Sequence, residues 1–126
     1  KYDSGGNLGL EYQILDDKMG EDNKTDNHLA GSLYDVFAPS RLKKKVYPNG
    51  QWNNVVIVAK GNTVSHWLNG FKILEFTKGS KEFNDAVALS KFSKTTPAFG
   101  SISKGHILLQ EHGGLVAFRN IKIKKL

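Results

Sequence analysis

Three pairs of polar side chains have types and spacings that could do chemistry together: Glu11 with Gln13, Gln110 with His112, and His66 beside Trp67. A carboxylate can give or take a proton, and an imidazole can do the same or bind a metal. Amides can donate and accept hydrogen bonds, and an indole can cover a sugar face. Each pair also has a plainer use. Glu11 and Gln13 lie on the polar side of a stretch whose Leu8, Leu10, Tyr12 and Ile14 form the apolar side, as on any solvated outer face. His112 suits a surface position near Gly113-Gly114, and Trp67 suits a core. Lys91, in Ser90-Lys91-Phe92, is one of 16 lysines and acquires no role from spacing.

The absences narrow the chemistry further. The chain has no cysteine, which removes thiolate nucleophiles, disulfides and Cys-type zinc sites. It contains no phosphate-binding glycine loop, no Gly-x-Ser-x-Gly elbow and no His-Glu-x-x-His helix motif. The polar run from Asp16 to Asn27 is rich in acids but lacks the ligand order of an EF-hand, so it reads as a surface loop.

The elements that must carry these residues are mostly strands. Leu8–Leu15 alternates with period two, and Gly31–Phe37 reads as a second strand. Trp52–Ala59, Thr63–Leu68 and Phe71–Phe76 follow, separated by Gly61-Asn62 and Asn69-Gly70. An Asn-Gly pair between such runs is a strong hairpin signal, because both turn residues need positive φ. Ser80–Ser90 predicts one helix, capped by Ser80, with Phe83, Ala86, Val87 and Ser90 on one face. His106–His112 and Leu115–Ile123 read as two closing strands, with a β-bulge near Arg119-Asn120. The sum is an all-β sandwich, with a barrel as the lesser option.

Size and charge set the remaining bounds. A chain of 126 residues is a single domain's worth and contains no apolar run of membrane-spanning length. Its +6 charge is unevenly spread: eight acids and three bases up to Phe37, four acids and 15 bases after it. The bases are 16 Lys and 2 Arg, whereas base and phosphate readout favours the Arg fork. Lys43-Lys44-Lys45 lies beside Pro48-Asn49-Gly50 and reads as a solvated loop, so nucleic acid is not the expected partner.

Taken in order, the motifs say more than they do singly. They are Gly9-Leu10-Glu11-Tyr12-Gln13-Ile14-Leu15-Asp16, Ala30-Gly31-Ser32-Leu33-Tyr34-Asp35, Gly50-Gln51-Trp52-Asn53 and His66-Trp67-Leu68-Asn69-Gly70. Ser90-Lys91-Phe92, Gly105–Gly113 and Phe118-Arg119-Asn120-Ile121-Lys122-Ile123 complete the series. This series resembles the bacterial 3-keto-disaccharide hydrolase family over nearly the whole chain. The resemblance implies a concanavalin A-like jelly-roll β-sandwich with one short helix. Residues 1–126 would then form one domain, the C-terminal portion of a longer sandwich, able to pair with an N-terminal segment or another chain. It also implies an extracytoplasmic bacterial protein: periplasmic, secreted or a lipoprotein.

The implied chemistry follows from the ketone. A 3-keto group acidifies the C2 proton, so a base can remove it and the C1 substituent can leave by β-elimination; water then adds, giving net hydrolysis. Such a site needs a base, an enolate stabiliser and an acid for the leaving oxygen. Ordinary glycosidases need two flanking carboxylates, and only Glu11 is a well-placed strand carboxylate here. By resemblance, Glu11 or His112 would be base and acid, and Lys91 or Arg119 would stabilise the enolate. Gln13, Gln110, His66 and Trp67 would hold hydroxyls and a ring face. A divalent metal on His112 and Glu11 stays open, with no ligand spacing to support it. The alternative is a non-catalytic, lectin-like carbohydrate-binding module on the same fold.

Overall fold

A computed structural model describes residues 9–96 and 98–126. Its centre is an antiparallel three-stranded sheet in the order β1-β2-β3, formed by β1 (Val55–Lys60), β2 (Thr63–Leu68) and β3 (Phe71–Thr77). The β2–β3 hairpin closes over Asn69-Gly70, with φ of 49° and 86°, as a two-residue turn between twisted strands requires. A bulge interrupts the β2–β3 register between His66 and Trp67: His66 faces Leu74 while Trp67 faces Lys72. The extra residue, Ile73, is buried. The protein is all-β in class, with an antiparallel sheet and few helical residues.

One face of β2 and β3 supplies Val64 and Phe76 to a core completed by Leu33, Val36, Phe83, Val87, Phe92 and Phe99. Helix α1 (Lys81–Leu89) covers that face because its Phe83 and Val87, four apart, share one side. The Ser80 hydroxyl accepts from the Phe83 amide at 3.1 Å, satisfying one of the first-turn donors. Ser90 ends the helix, its hydroxyl donating to the Val87 carbonyl at 2.7 Å. The same hydroxyl oxygen accepts from the Phe92 amide at 3.2 Å, and a second helix, α2 (Phe92–Thr95), begins there. The expected helix is present as α1, and the described residues add the single turn of α2 and a 3-10 turn at Asp26–His28. Stacking of Phe92 on Phe99, centroids 4.1 Å apart, holds α2 to the core.

Several expected strands are shorter or differently used. Of Leu8–Leu15, Leu8 lies outside the described residues, and only Tyr12 makes a bridge, to Leu33. Gly31–Phe37 does not run as a strand either. Gly31 and Asp35 take φ of 86° and 60°, and Leu33 and Phe37 exchange amide–carbonyl bonds, so the segment folds back on itself. Gly31 is glycine for a second reason: a Cβ there would lie 2.2 Å from the Ile73 Cδ1. His106–His112 and Leu115–Ile123 belong to no sheet among the described residues and are exposed, apart from the half-buried Val116. Alternation announces a half-buried strand, but ladder bonds need a neighbour, and none of the described residues pairs with these. Asn120, at the expected bulge, has a left-handed φ of 55°.

The basic loop is exposed, as its sequence suggests, with Lys44 alone among residues 41–50 half-buried. Arg41 pairs with Asp26 and Lys44 with Asp17, so the acidic 16–27 loop and the basic loop answer each other. No helix among the described residues is long and apolar enough to cross a membrane.

Candidate functional site

Backbone bonds between the 11–13 and 31–34 segments bring Glu11 beside Tyr34. The Tyr34 amide donates to the Glu11 carbonyl at 3.1 Å, and the Gln13 amide to the Ser32 carbonyl at 3.2 Å. Lys91 arrives from the other side, just beyond α1. Its amide donates to Asp35 Oδ2 at 2.7 Å, and its ammonium lies 4.1 Å from the centroid of the Tyr34 ring. Burial pushes the half-buried Glu11 carboxyl above the usual carboxylate range. The charges of Lys91 and His112 oppose that shift, and Asp22 adds to it. Glu11, Lys91 and His112 therefore share one electrostatic environment.

Behind these three stands a polar cluster. His28 sits between two carboxylates, its Nδ1 2.7 Å from Asp22 Oδ1 and its Nε2 2.8 Å from Asp35 Oδ1. Burial alone disfavours the imidazolium, but the hydrogen bonds and charges of Asp35 and Asp22 outweigh it and raise the His28 pKa. In the protonated form both ring N–H groups donate. Asp22 also accepts from the Tyr34 hydroxyl at 2.7 Å, and this bond is the first cause holding its carboxyl low. Burial, and then Asp22, push the Tyr34 phenol up, so it remains an O–H donor through the neutral range. Asp35 reaches both His28 and Lys91 from a left-handed backbone, a conformation that costs most L-residues about 1 kcal/mol and that Asp tolerates better than most.

The other expected site residues lie elsewhere. His66, expected to meet sugar hydroxyls, is 2% exposed, with Nδ1 3.0 Å from the Gly31 carbonyl and its ring between Tyr12 and Phe76. A carbonyl partner fixes Nδ1 as the donor. Trp67 is half-buried, and its indole N–H donates to Ser65 Oγ at 3.0 Å. Gln13 is half-buried in the Glu11 segment, while Gln110 is exposed on the extended 101–126 arm. Arg119 lies on the same arm with its guanidinium 4.0 Å above the Trp52 ring, not at Glu11.

The four residues that sequence reasoning missed are Asp22, His28, Tyr34 and Asp35. Asp22 and His28 fall in or beside the acidic run taken as plain surface, and no helical or strand period links the four. The available signal was the Tyr34-Asp35 pair inside the Ala30–Asp35 motif.

Among the described residues no group of three or more His, Asp or Glu side chains is arranged to hold a metal ion. Hollows of about 320 and 360 Å³ run along α1 and past Gly79 and Phe99, away from Glu11. The Glu11 cluster is instead an open face, able to exchange protons beside an ammonium that can meet developing negative charge.

Comparison with known proteins gives this arrangement its relatives. A curated protein of Bacteroides thetaiotaomicron described as a 3-keto-disaccharide hydrolase is 36% identical over 131 aligned positions, covering 92% of this chain and 43% of the relative. A crystal structure from Parabacteroides distasonis, provisionally described as a glycosyl hydrolase, superposes with a TM-score of 0.62 at 30% identity. That match covers 74% of this chain and 44% of the other. The chain thus spans less than half the length of each. The model of the 3-keto-alpha-glucoside-1,2-lyase-like domain matches residues 1–124. With nearly every residue inside that pattern, the chain belongs to the 3-keto-alpha-glucoside-1,2-lyase-like family.

Proposed function

We propose that this chain carries the proton-transfer centre of an enzyme that cleaves 3-keto-glycosides by elimination, with net hydrolysis once water adds. The observation that carries the reading is the Glu11 carboxyl, raised by burial yet facing the Lys91 ammonium and His112. A carboxylate tuned upward holds a proton better near neutral pH, as a general base should.

In this reading Glu11 takes the C2 proton, and the electron pair moves toward the C3 ketone as an enolate. Lys91 meets the charge on that oxygen. The enolate then reforms the ketone, a C1=C2 double bond forms, and the C1–O bond breaks. His112 in its protonated form delivers a proton to the leaving oxygen. Water adds across C1=C2 in the second half. Gln13 and Gln110 are proposed to grip hydroxyls. Support comes from the B. thetaiotaomicron relative, whose name specifies a 3-keto-disaccharide, and from the lyase in the family name. The jelly-roll sandwich and an extracytoplasmic bacterial location belong to the same proposal and rest on the family resemblance.

The experiment assays the intact protein on a 3-keto-glucoside and the matching ordinary glucoside, each deuterated at C2. Elimination predicts turnover of the keto-sugar alone, slowed by the label and with deuterium lost to water. Glu11→Gln should reduce kcat by roughly 10²–10⁴-fold, whereas Gln13→Ala should mainly raise KM. Full turnover with the label retained would overturn the mechanism. Sugar binding without turnover of either substrate would favour a lectin-like module.

A further inference from the structure

The Asp35 side chain makes contacts that the chemistry above does not use. One carboxylate oxygen meets His28 Nε2 at 2.8 Å and the other accepts the Lys91 amide at 2.7 Å, the latter joining residues 56 positions apart. His28 in turn holds Asp22, and Asp22 holds the Tyr34 hydroxyl. The Tyr34 ring packs against His28, centroids 4.7 Å apart and planes tilted by 40°, and is the surface on which the Lys91 ammonium rests. The circuit closes on itself: Asp35 fixes the Lys91 backbone, and through His28 and Asp22 it fixes the ring under the Lys91 ammonium. Its own backbone is left-handed, at φ 60°, although it is not glycine. Strain of this kind persists where the surroundings hold it, and it concentrates at functional sites.

We propose that Asp35 is a positioning residue whose two carboxylate oxygens tie the Lys91 backbone to His28 and so park the Lys91 ammonium over Tyr34, beside Glu11. The inference rests on the proposed elimination chemistry for its effect on rate, but not for its geometry. A lysine side chain has four rotatable bonds and surveys many positions unless something confines it. Confinement matters because a group displaced by about 1 Å from its productive place can cost on the order of 100-fold in rate. The titratable groups at this circuit are Asp22, His28, Tyr34, Lys91 and Glu11, and the Phe92 ring also lies 5.4 Å from the Lys91 ammonium. Among the described residues only Asp35 hydrogen-bonds both this histidine and this lysine.

The chemistry of substitution separates charge from position. In Asp35→Asn the side-chain carbonyl oxygen can still accept from the Lys91 amide, while the new NH₂ donates to an unprotonated His28 Nε2. Asparagine also tolerates the left-handed backbone. In Asp35→Gly the same backbone is accepted without strain and both side-chain contacts are lost.

The test uses the intact protein at pH 8. Proton NMR reads the Lys91 ε-methylene resonances, which the Tyr34 ring current shifts upfield when the ammonium lies over it. Steady-state kinetics are measured in parallel on a 3-keto-glucoside. Asp35→Gly should return those resonances to ordinary lysine positions and lower kcat by about 10- to 100-fold with KM changed less than about twofold. Asp35→Asn should keep the upfield shift and most of the rate. His28→Gln leaves residue 35 untouched and should move the same resonances in the same direction by a smaller amount, and it decides the matter if Asp35→Gly does not fold. Unchanged Lys91 resonances in folded Asp35→Gly or in His28→Gln would overturn the proposal. Upfield Lys91 resonances in a wild-type protein that cleaves no keto-sugar would remove the proposed function and leave the positioning intact.

Discussion

His66 packs against Tyr12 and His28 against Tyr34, with ring centroids 4.7 Å apart in both pairs and planes tilted by 39° and 40°. The packing is the same; the ends of the imidazoles differ. His66 meets the carbonyl of Gly31 deep in the core, and burial pushes its pKa down. His28 meets a carboxylate at each nitrogen, and the pair of anions overcomes the smaller burial and pushes its pKa up. A tyrosine against a histidine therefore says little about the charge of the ring. Burial weighed against what the two nitrogens touch decides it, and only the half-buried region supplies anions.

The largest expected effect comes from removing the core ring. His66→Ala opens a cavity between Tyr12 and Phe76 and leaves the Gly31 carbonyl without its donor, so unfolding should become easier by about 3–5 kcal/mol. Denaturant titration measures it, and a cost under about 1 kcal/mol would show that the ring is not structural. Next in size is Gly31→Ala, which leaves His66 in place and disturbs its acceptor. It strains a backbone at φ 86° and pushes a methyl into the buried Ile73. The expected loss is about 2–3 kcal/mol by the same measurement.

The smallest change carries the most information, because its size varies with pH. The raised His28 pKa contributes stability that is complete below the unfolded value near 6.5 and disappears as pH rises through the folded value. His66, with its pKa lowered, works in reverse: the fold resists its protonation, so acidification below about 6.5 costs stability. His28→Gln should cost about 1–2 kcal/mol at pH 5.5 and less at pH 8, leaving a protein that is steadily less stable as it is acidified. His66→Ala should leave the opposite slope. Parallel stability profiles for the two variants would dissolve the distinction between the histidines.

How much of this was legible in the sequence depends on how local the cause is. Strands β2 and β3 follow from β-branched and aromatic runs around Asn69-Gly70, and α1 from Ser80 and the Phe83–Val87 spacing; each signal lies within a few residues of its effect. Gly31–Phe37 misled because its turns come from Gly31 and Asp35, whose positive φ values are settled by partners far away. The closing stretches His106–His112 and Leu115–Ile123 have the alternation of strands, but alternation does not specify a neighbour. At the site, the motifs pointed to Glu11, Lys91 and His112, which the fold brings into one electrostatic environment. His66 and Trp67, adjacent in a motif, went into the sheet and its packing. Asp22, His28 and Asp35 were illegible because carboxylates and imidazoles in polar loops look solvated until the fold sets them face to face.

The arm that brings His112 to Glu11 also shapes the molecule's electric field. Its 26 residues, Ser101 to Leu126, hold five bases and one acid, which is +4 of the total +6. The acidic and basic loops of the body meanwhile pair off through Asp26 with Arg41 and Asp17 with Lys44. The protein is therefore lopsided, close to neutral through its folded body and cationic along one exposed flank. At physiological ionic strength such charges are felt over about 8 Å, far enough to concentrate anionic molecules along the flank. A neutral sugar gains nothing from the same field. Added salt would therefore thin out anionic visitors near Glu11 and leave the approach of an uncharged ligand as it was.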